Sequence, residues 1–152
     1  MCIVGFRSPA RVILYRLDSR GPPSPVATLS LDNREGKSLA TGAEIQSIEY
    51  LQTGGLNYVL VGLRNGRMVS AEIAGDLDNS PHFTPKQTTR LGISQVEFIS
   101  VTSRFQPGTE SSGVFVFCEY LWEVTVRNGR LRIDEVLFDA YRTVLLLLPD
   151  SF

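Results

Sequence analysis

An all-β fold of stacked antiparallel sheets is what this sequence predicts, and three observations carry the prediction. The first is the stretch Asn57 to Ile73, Asn-Tyr-Val-Leu-Val-Gly-Leu-Arg-Asn-Gly-Arg-Met-Val-Ser-Ala-Glu-Ile, where two β-rich runs flank an Asn-Gly pair. A two-residue loop at Asn65-Gly66 needs φ > 0 at both positions, which Asn tolerates and Gly adopts freely, so the stretch reads as a β-hairpin closed by a type I′ turn. The second is the register that this turn imposes. Arg64 faces Arg67, Leu63 faces Met68, Gly62 faces Val69, Leu60 faces Ala71 and Tyr58 faces Ile73, so apolar groups fall on both faces. Such a ribbon needs cover on each side, which face-to-face sheets supply in a sandwich or in the blades of a propeller. The third is a repeat: Arg-Asn-Gly-Arg at 64–67 returns at 127–130, again after an aromatic-led apolar strand.

Taken in order, Cys2 to Phe6 and Arg11 to Leu17 are β-rich runs, with a turn at Ser8-Pro9 because proline fixes φ and restricts its neighbour. Residues 18–25, with three prolines, read as an exposed loop. Val26 to Leu31 alternates weakly and is a candidate strand, and 32–44 is polar and reads as a second loop. Ile45 to Leu51 alternates, and Thr53-Gly54-Gly55 turns it into the first hairpin, so three antiparallel strands follow one another. Residues 75–86 form a turn-rich loop before strands over Gln87 to Ile93 and Gln95 to Thr102, and 104–113 is another loop. Val114 to Cys118 is an apolar run of the buried-strand type. Tyr120 to Ile133 is the second hairpin, turning at Asn128-Gly129. Its pairing puts Trp122, Val124, Val126, Leu131 and Ile133 on a core face, and Glu123, Thr125, Arg132 and Asp134 on a wet one. From Asp134 to Thr143 a short helical turn and another strand fit equally.

Composition narrows the function classes. The chain has 152 residues and 43% hydrophobic content, enough for one ordinary domain and too little for two comfortable ones. Its 15 basic and 16 acidic side chains argue against a strongly cationic nucleic-acid surface. Lys37 and Lys86 are the only lysines, and a basic set dominated by arginine suits planar, bidentate contacts. Cys2 and Cys118 sit in no CxxC pattern, so neither chelation nor a disulfide framework is indicated, and both read as reduced and intracellular. The N-terminus lacks the pattern of a secretory signal, and the apolar run Val144 to Leu148 is far short of the roughly 20 residues of a bilayer span.

Residues that could carry chemistry are few. His82, the only histidine, lies between Pro81 and Phe83 and reads as a solvated loop residue rather than the base of a nucleophilic triad. Gly75-Asp76-Leu77-Asp78-Asn79 lacks the later Gly and Glu of a calcium loop and reads as a turn. Phosphate-cradling glycine motifs are absent. Glu119 and Glu123 flank Trp122, an arrangement in which a sugar-cleaving carboxylate pair can be imagined, although same-face surface positions on strands account for them. Arg7, Arg11, Arg16 and Arg20 make the first twenty residues basic and read as a solvated face.

Four pieces in sequence order, Tyr58-Val-Leu-Val-Gly-Leu-Arg-Asn-Gly-Arg-Met-Val, Arg90-Leu91-Gly92, Val96 and Val114-Phe115-Val116, carry a family resemblance. They resemble the propeller scaffold family of the large damaged-DNA-binding protein subunit, the largest cleavage and polyadenylation specificity factor subunit and the matching splicing factor 3b subunit. The part resembled is their N-terminal, methyl-methanesulfonate-sensitivity-type propeller region. The family's order is a "YLLxxLxDGxL" strand, a polar loop, an "LGxxPV" strand entry, a "VFAxS" strand and another hairpin, and Ile45 to Leu137 follows it. Gln95 stands where the family usually has Pro, and the polar turn after the "VFA" strand is missing, since Cys118 runs through Glu119 into Tyr120.

The resemblance implies that residues 1–152 form about two to three antiparallel four-stranded, WD-like blades of an incomplete β-propeller, since a closed wheel takes four or more. On that reading the chain is a piece of a larger multi-propeller protein. The implied role is a non-catalytic nuclear scaffold whose partners are the proteins of a larger complex, with nucleic acid reached indirectly through them. DNA repair or ubiquitin-ligase adaptor work is the leading assignment, and a splicing or 3′-end cleavage and polyadenylation scaffold is the alternative. No catalytic, metal or cofactor-binding residue is assigned, no cofactor, membrane or small-molecule substrate is expected, and partner-binding residues stay open. The contrasting class is a glycoside hydrolase fragment on a small β scaffold, using Glu119 and Glu123 beside Trp122.

Overall fold

A computed structural model describes residues 1–18, 21–31, 44–53, 55–99 and 113–137. Eleven strands and no helix occur among them. They form three antiparallel sheets, each a meander in which strands adjacent in sequence are adjacent in space. The first holds β1 (Cys2–Arg7), β2 (Ala10–Arg16) and β3 (Ser24–Ser30), and the second β4 (Ile45–Thr53), β5 (Leu56–Leu63), β6 (Arg67–Ala74) and β7 (His82–Arg90). The third holds β8 (Glu97–Ile99), β9 (Gly113–Phe117), β10 (Leu121–Arg127) and β11 (Arg130–Glu135). The leading strands β1, β4 and β8 adjoin one another in turn, and β3 adjoins β7.

The second sheet is the middle layer, and its two faces make two separate cores. Val59, Val61, Leu63, Val69 and Ala71 pack with Ala10, Val12, Leu29 and Leu31 of the first sheet and the segment that follows it. Their neighbours in sequence, Tyr58, Leu60 and Met68, pack the other way with Val114, Val116 and Val124 of the third sheet, together with Leu91 and Val96 of the connection. Strand alternation requires this split, because successive side chains leave opposite sides of the pleat. Each fully buried Val or Leu contributes on the order of 1.5–3 kcal/mol through removal of apolar surface from water, so a middle sheet with two apolar faces is stable only between two others. The predicted cover on both faces is present.

The first hairpin differs from the predicted one by a single residue. Leu60 faces Ser70, Val59 faces Ala71, Gly62 faces Met68 and Tyr58 faces Glu72. Three residues, Arg64 to Gly66, fill the loop between β5 and β6. Only Gly66 is left-handed, with φ 76°, and Asn65 is not, so the type I′ turn expected there does not form. The cause lies outside the hairpin. The Gly66 carbonyl accepts the backbone N–H of Leu91 at 2.8 Å and of Gly92 at 3.2 Å, which fixes the loop against the connection to the third sheet. A β-carbon on Gly66 would overlap the Gly92 carbonyl, so glycine is needed for close approach as well as for φ.

The same connection ties the sheets together further along. Val96 N–H donates to the Leu63 carbonyl at 3.1 Å, and the Val96 carbonyl accepts the Ser47 hydroxyl at 2.6 Å. The segment Leu91-Gly92-Ile93-Ser94-Gln95-Val96 is thus a strap whose ends, Leu91 and Val96, are buried in the second core.

At the second hairpin the predicted pairing and the structure agree residue for residue, although Thr125, expected on the wet face, is buried. Val124 faces Ile133, Val126 faces Leu131 and Arg127 faces Arg130, which leaves a two-residue loop with φ 53° at Asn128 and 70° at Gly129. Val124, Val126, Leu131, Ile133 and Trp122 all lie against the second core.

Other boundaries move. The loop expected over 75–86 ends at Pro81, and the strand expected from Gln87 to Ile93 instead runs from His82 to Arg90. Pro85 is accommodated because β7 is an edge strand and the proline sits beside a bulge between Ser70 and Ala71. Lys86 is the extra residue of that bulge, and its ammonium pairs with Glu72 at 2.6 Å. Ser24 and Pro25, expected in the loop over 18–25, open β3. The strand expected over Gln95 to Thr102 is described only as Glu97–Ile99, and the one expected over Val114 to Cys118 runs from Gly113 to Phe117. The expectations for 32–43, 104–112 and 138–143 fall outside the described residues.

Candidate functional site

Among the described residues no group of three or more His, Cys, Asp and Glu side chains is placed to hold a metal ion, and no helix is long and apolar enough to cross a membrane. What the sheets do position is a surface. The third sheet's inner rows, Phe98-Val116-Trp122 and Val114-Val124-Ile133, face the second core, so the intervening rows face away from it. Those outward rows are Glu97-Phe117-Leu121, then Ile99-Phe115-Glu123-Asp134, then Gly113-Thr125-Arg132, and at the tip Arg127-Arg130. Phe117 is 47% exposed and Ile99 46%, an apolar pair on a sheet face where water-facing strands ordinarily place polar residues.

The residues singled out for chemistry do not converge. His82 is exposed on β7 rather than in a loop. Glu119 lies in the bend between β9 and β10, not on a strand, and its carboxylate accepts the backbone N–H of Ile93 at 3.1 Å. Trp122 faces the core while Glu123, its neighbour on the strand, faces away. The two carboxylates and the ring therefore do not line one sugar cleft. Arg11 lies 5.1 Å from the centroid of the Phe6 ring, Arg16 donates to the Asp78 carbonyl, Arg7 is exposed, and Arg20 is outside the described residues. Both cysteines are free, Cys2 exposed and Cys118 buried.

The loop after β6 is a turn built on Asp76. Its carboxylate accepts the Asp78 N–H at 2.9 Å and the Asn79 side-chain amide, and its carbonyl accepts the N–H of Asn79 and Ser80. These bonds, first that from Asp78, hold the Asp76 carboxyl below its ordinary pKa. The ion pair with Glu72 raises the Lys86 ammonium above its own.

Tyr58 joins the second and third sheets, its hydroxyl donating to the Gly129 carbonyl at 3.3 Å. Burial, and then the nearby Glu72 charge, raise its pKa above 10.0, with Lys86 opposing. A raised folded-state value means that the contribution is complete below the unfolded tyrosine pKa and is lost as pH rises through the folded one. We expect the urea midpoint to fall as pH rises above the ordinary tyrosine value of about 10, and to fall less in Tyr58→Phe, whose ring has no proton to lose. Equal losses in the two proteins would place the alkaline sensitivity elsewhere.

Sequence reasoning missed the strap from Leu91 to Val96 and the use of Glu119 to hold it. The Leu-Gly…Val spacing was its only visible trace. Compared with protein-family models and with curated protein sequences, the chain matches none.

Proposed function

We propose that the chain is a non-catalytic scaffold segment, three consecutive blades of a β-propeller that presents sheet faces and loop ends to partner proteins. One observation carries the reading: a middle sheet is covered on both faces by neighbours of the same meander order, while the third sheet still carries exposed Phe117 and Ile99 on its far side. Adjacent leading strands β1, β4 and β8 support the propeller over a two-layer sandwich, since blades stack with equivalent strands in register around an axis. The ordered pieces from Tyr58 to Val116 support, by resemblance, the family of nuclear scaffolds in nucleic-acid-processing complexes. DNA repair or ubiquitin-ligase adaptor work is the leading assignment within it, and splicing or 3′-end processing the alternative.

A photo-crosslinking amino acid at Tyr120, exposed at the β9–β10 bend, tests the reading in nuclear extract. Adducts with subunits of a repair or ubiquitin-ligase assembly are expected, and adducts with splicing or cleavage subunits would shift the assignment to the alternative. Adducts with chaperones alone, or glycoside turnover abolished by Glu123→Gln, would contradict it.

A further inference from the structure

The two Arg-Asn-Gly-Arg segments have one sequence and opposite surroundings. At 64–67, Arg64 is committed to Glu44, 3.0 Å away, and Gly66 is closed over by the Gly92 backbone. At 127–130 all four residues are exposed, and among the described residues no carboxylate forms an ion pair with Arg127, Arg130 or Arg132. The register sets Arg127 directly opposite Arg130, and Arg132 emerges two residues on from the same face. Like charges held opposite each other on a sheet repel. Here they surround an open recess of about 790 Å³, lined by Arg127, Asn128, Arg130, Leu131 and Arg132.

An anion relieves that repulsion, and guanidinium groups match phosphoryl oxygens in bidentate pairs. Its size is limited by the rest of the face. Two rows beyond Arg127 and Arg130, Glu123 stands opposite Asp134. Those carboxylates repel a polyanion running along the sheet, which leaves room for one phosphoryl group and opposes a nucleic-acid backbone. We propose that the open end of the β10–β11 hairpin binds a phosphorylated side chain of a partner protein, with Arg127, Arg130 and Arg132 as phosphate ligands and Asn128 as an amide donor. The proposal rests on the scaffold reading only for the source of the phosphate.

The test is fluorescence anisotropy of the full chain with three labelled probes: a phosphoserine peptide, the same peptide without phosphate, and an oligothymidylate. The phosphopeptide should bind saturably, compete with phenyl phosphate and weaken as salt rises. Arg130→Gln and Arg132→Gln should each weaken it about tenfold, the value of one lost charge-assisted contact, while Arg64→Gln leaves it unchanged. An unaltered melting curve for each variant separates lost binding from lost folding. Equal binding of the two peptides would overturn the site, and tighter binding of the oligothymidylate would replace it with a single-strand nucleic-acid surface. Either failure leaves the crosslinking result standing, and lost crosslinks with intact phosphate binding would remove the scaffold reading alone.

Discussion

Gly66→Val should destabilise the protein by about 3 to 5 kcal/mol, whereas Gly129→Val, in a turn of the same sequence, should cost about 1 to 3 kcal/mol. The shared part is backbone strain, because both glycines are left-handed, with φ 76° and 70°, and a β-branched residue there is strained wherever it sits. The difference is space. A β-carbon on Gly129 meets only Leu56 Cδ1 at 3.8 Å, while one on Gly66 overlaps the Gly92 carbonyl and lies 2.8 Å from the Ile93 nitrogen. Relieving that overlap pulls Leu91 and Gly92 off the Gly66 carbonyl and loosens the strap between the sheets. Urea midpoints at unchanged slope measure both effects. Equal costs would mean that the strap does not lie against the first turn.

Leu60→Ala and Leu63→Ala should each cost about 2 to 5 kcal/mol. Both side chains belong to β5 and both are 0% exposed, yet Leu60 lies in the core shared with the third sheet and Leu63 in the core shared with the first. A strand packed on one side alone would show one large loss and one near zero, because truncating a water-facing leucine leaves no cavity. Two large losses from residues three apart on one strand require cover on both faces. A loss below about 1 kcal/mol at either position would leave that face of the middle sheet open.

How much of this was legible in the sequence depended on how local the deciding forces were. The hairpin at Asn128-Gly129 was readable to the residue because its one described outside hydrogen bond, from the Tyr58 hydroxyl to the Gly129 carbonyl, is compatible with the register that its own turn preference sets. Its twin at Asn65-Gly66 slipped by one position because two amides some 25 residues later compete for the Gly66 carbonyl, and turn chemistry alone carries no sign of them. The conclusion that both faces are apolar survived the slip, since β5 and β6 carry apolar residues in both phases of the pleat: Val59, Val61 and Val69 in one, Leu60 and Met68 in the other. Strand β7 was hidden by Pro85, which argues against a central strand but is admissible at an edge beside a bulge. Glu119 invited a catalytic reading because its partner, a backbone N–H of Ile93, has no side-chain signature. The arginines of the second tip were visible as letters, but that no carboxylate among the described residues forms an ion pair with them became visible only once the sheets were assembled.

The central claim, that the second sheet is a middle layer with a separate core on each face, is tested most directly by methyl nuclear Overhauser contacts in protein labelled at Ile, Leu, Val and Met. Val59, Val61 and Val69 should show cross-peaks to Val12 and Leu29 and none to the third sheet, while Leu60 and Met68 should show them to Val114, Val116 and Val124 and none to the first. Methyls of the first and third sheets in direct contact, or both sets of the middle sheet contacting a single neighbour, would contradict the three-layer arrangement.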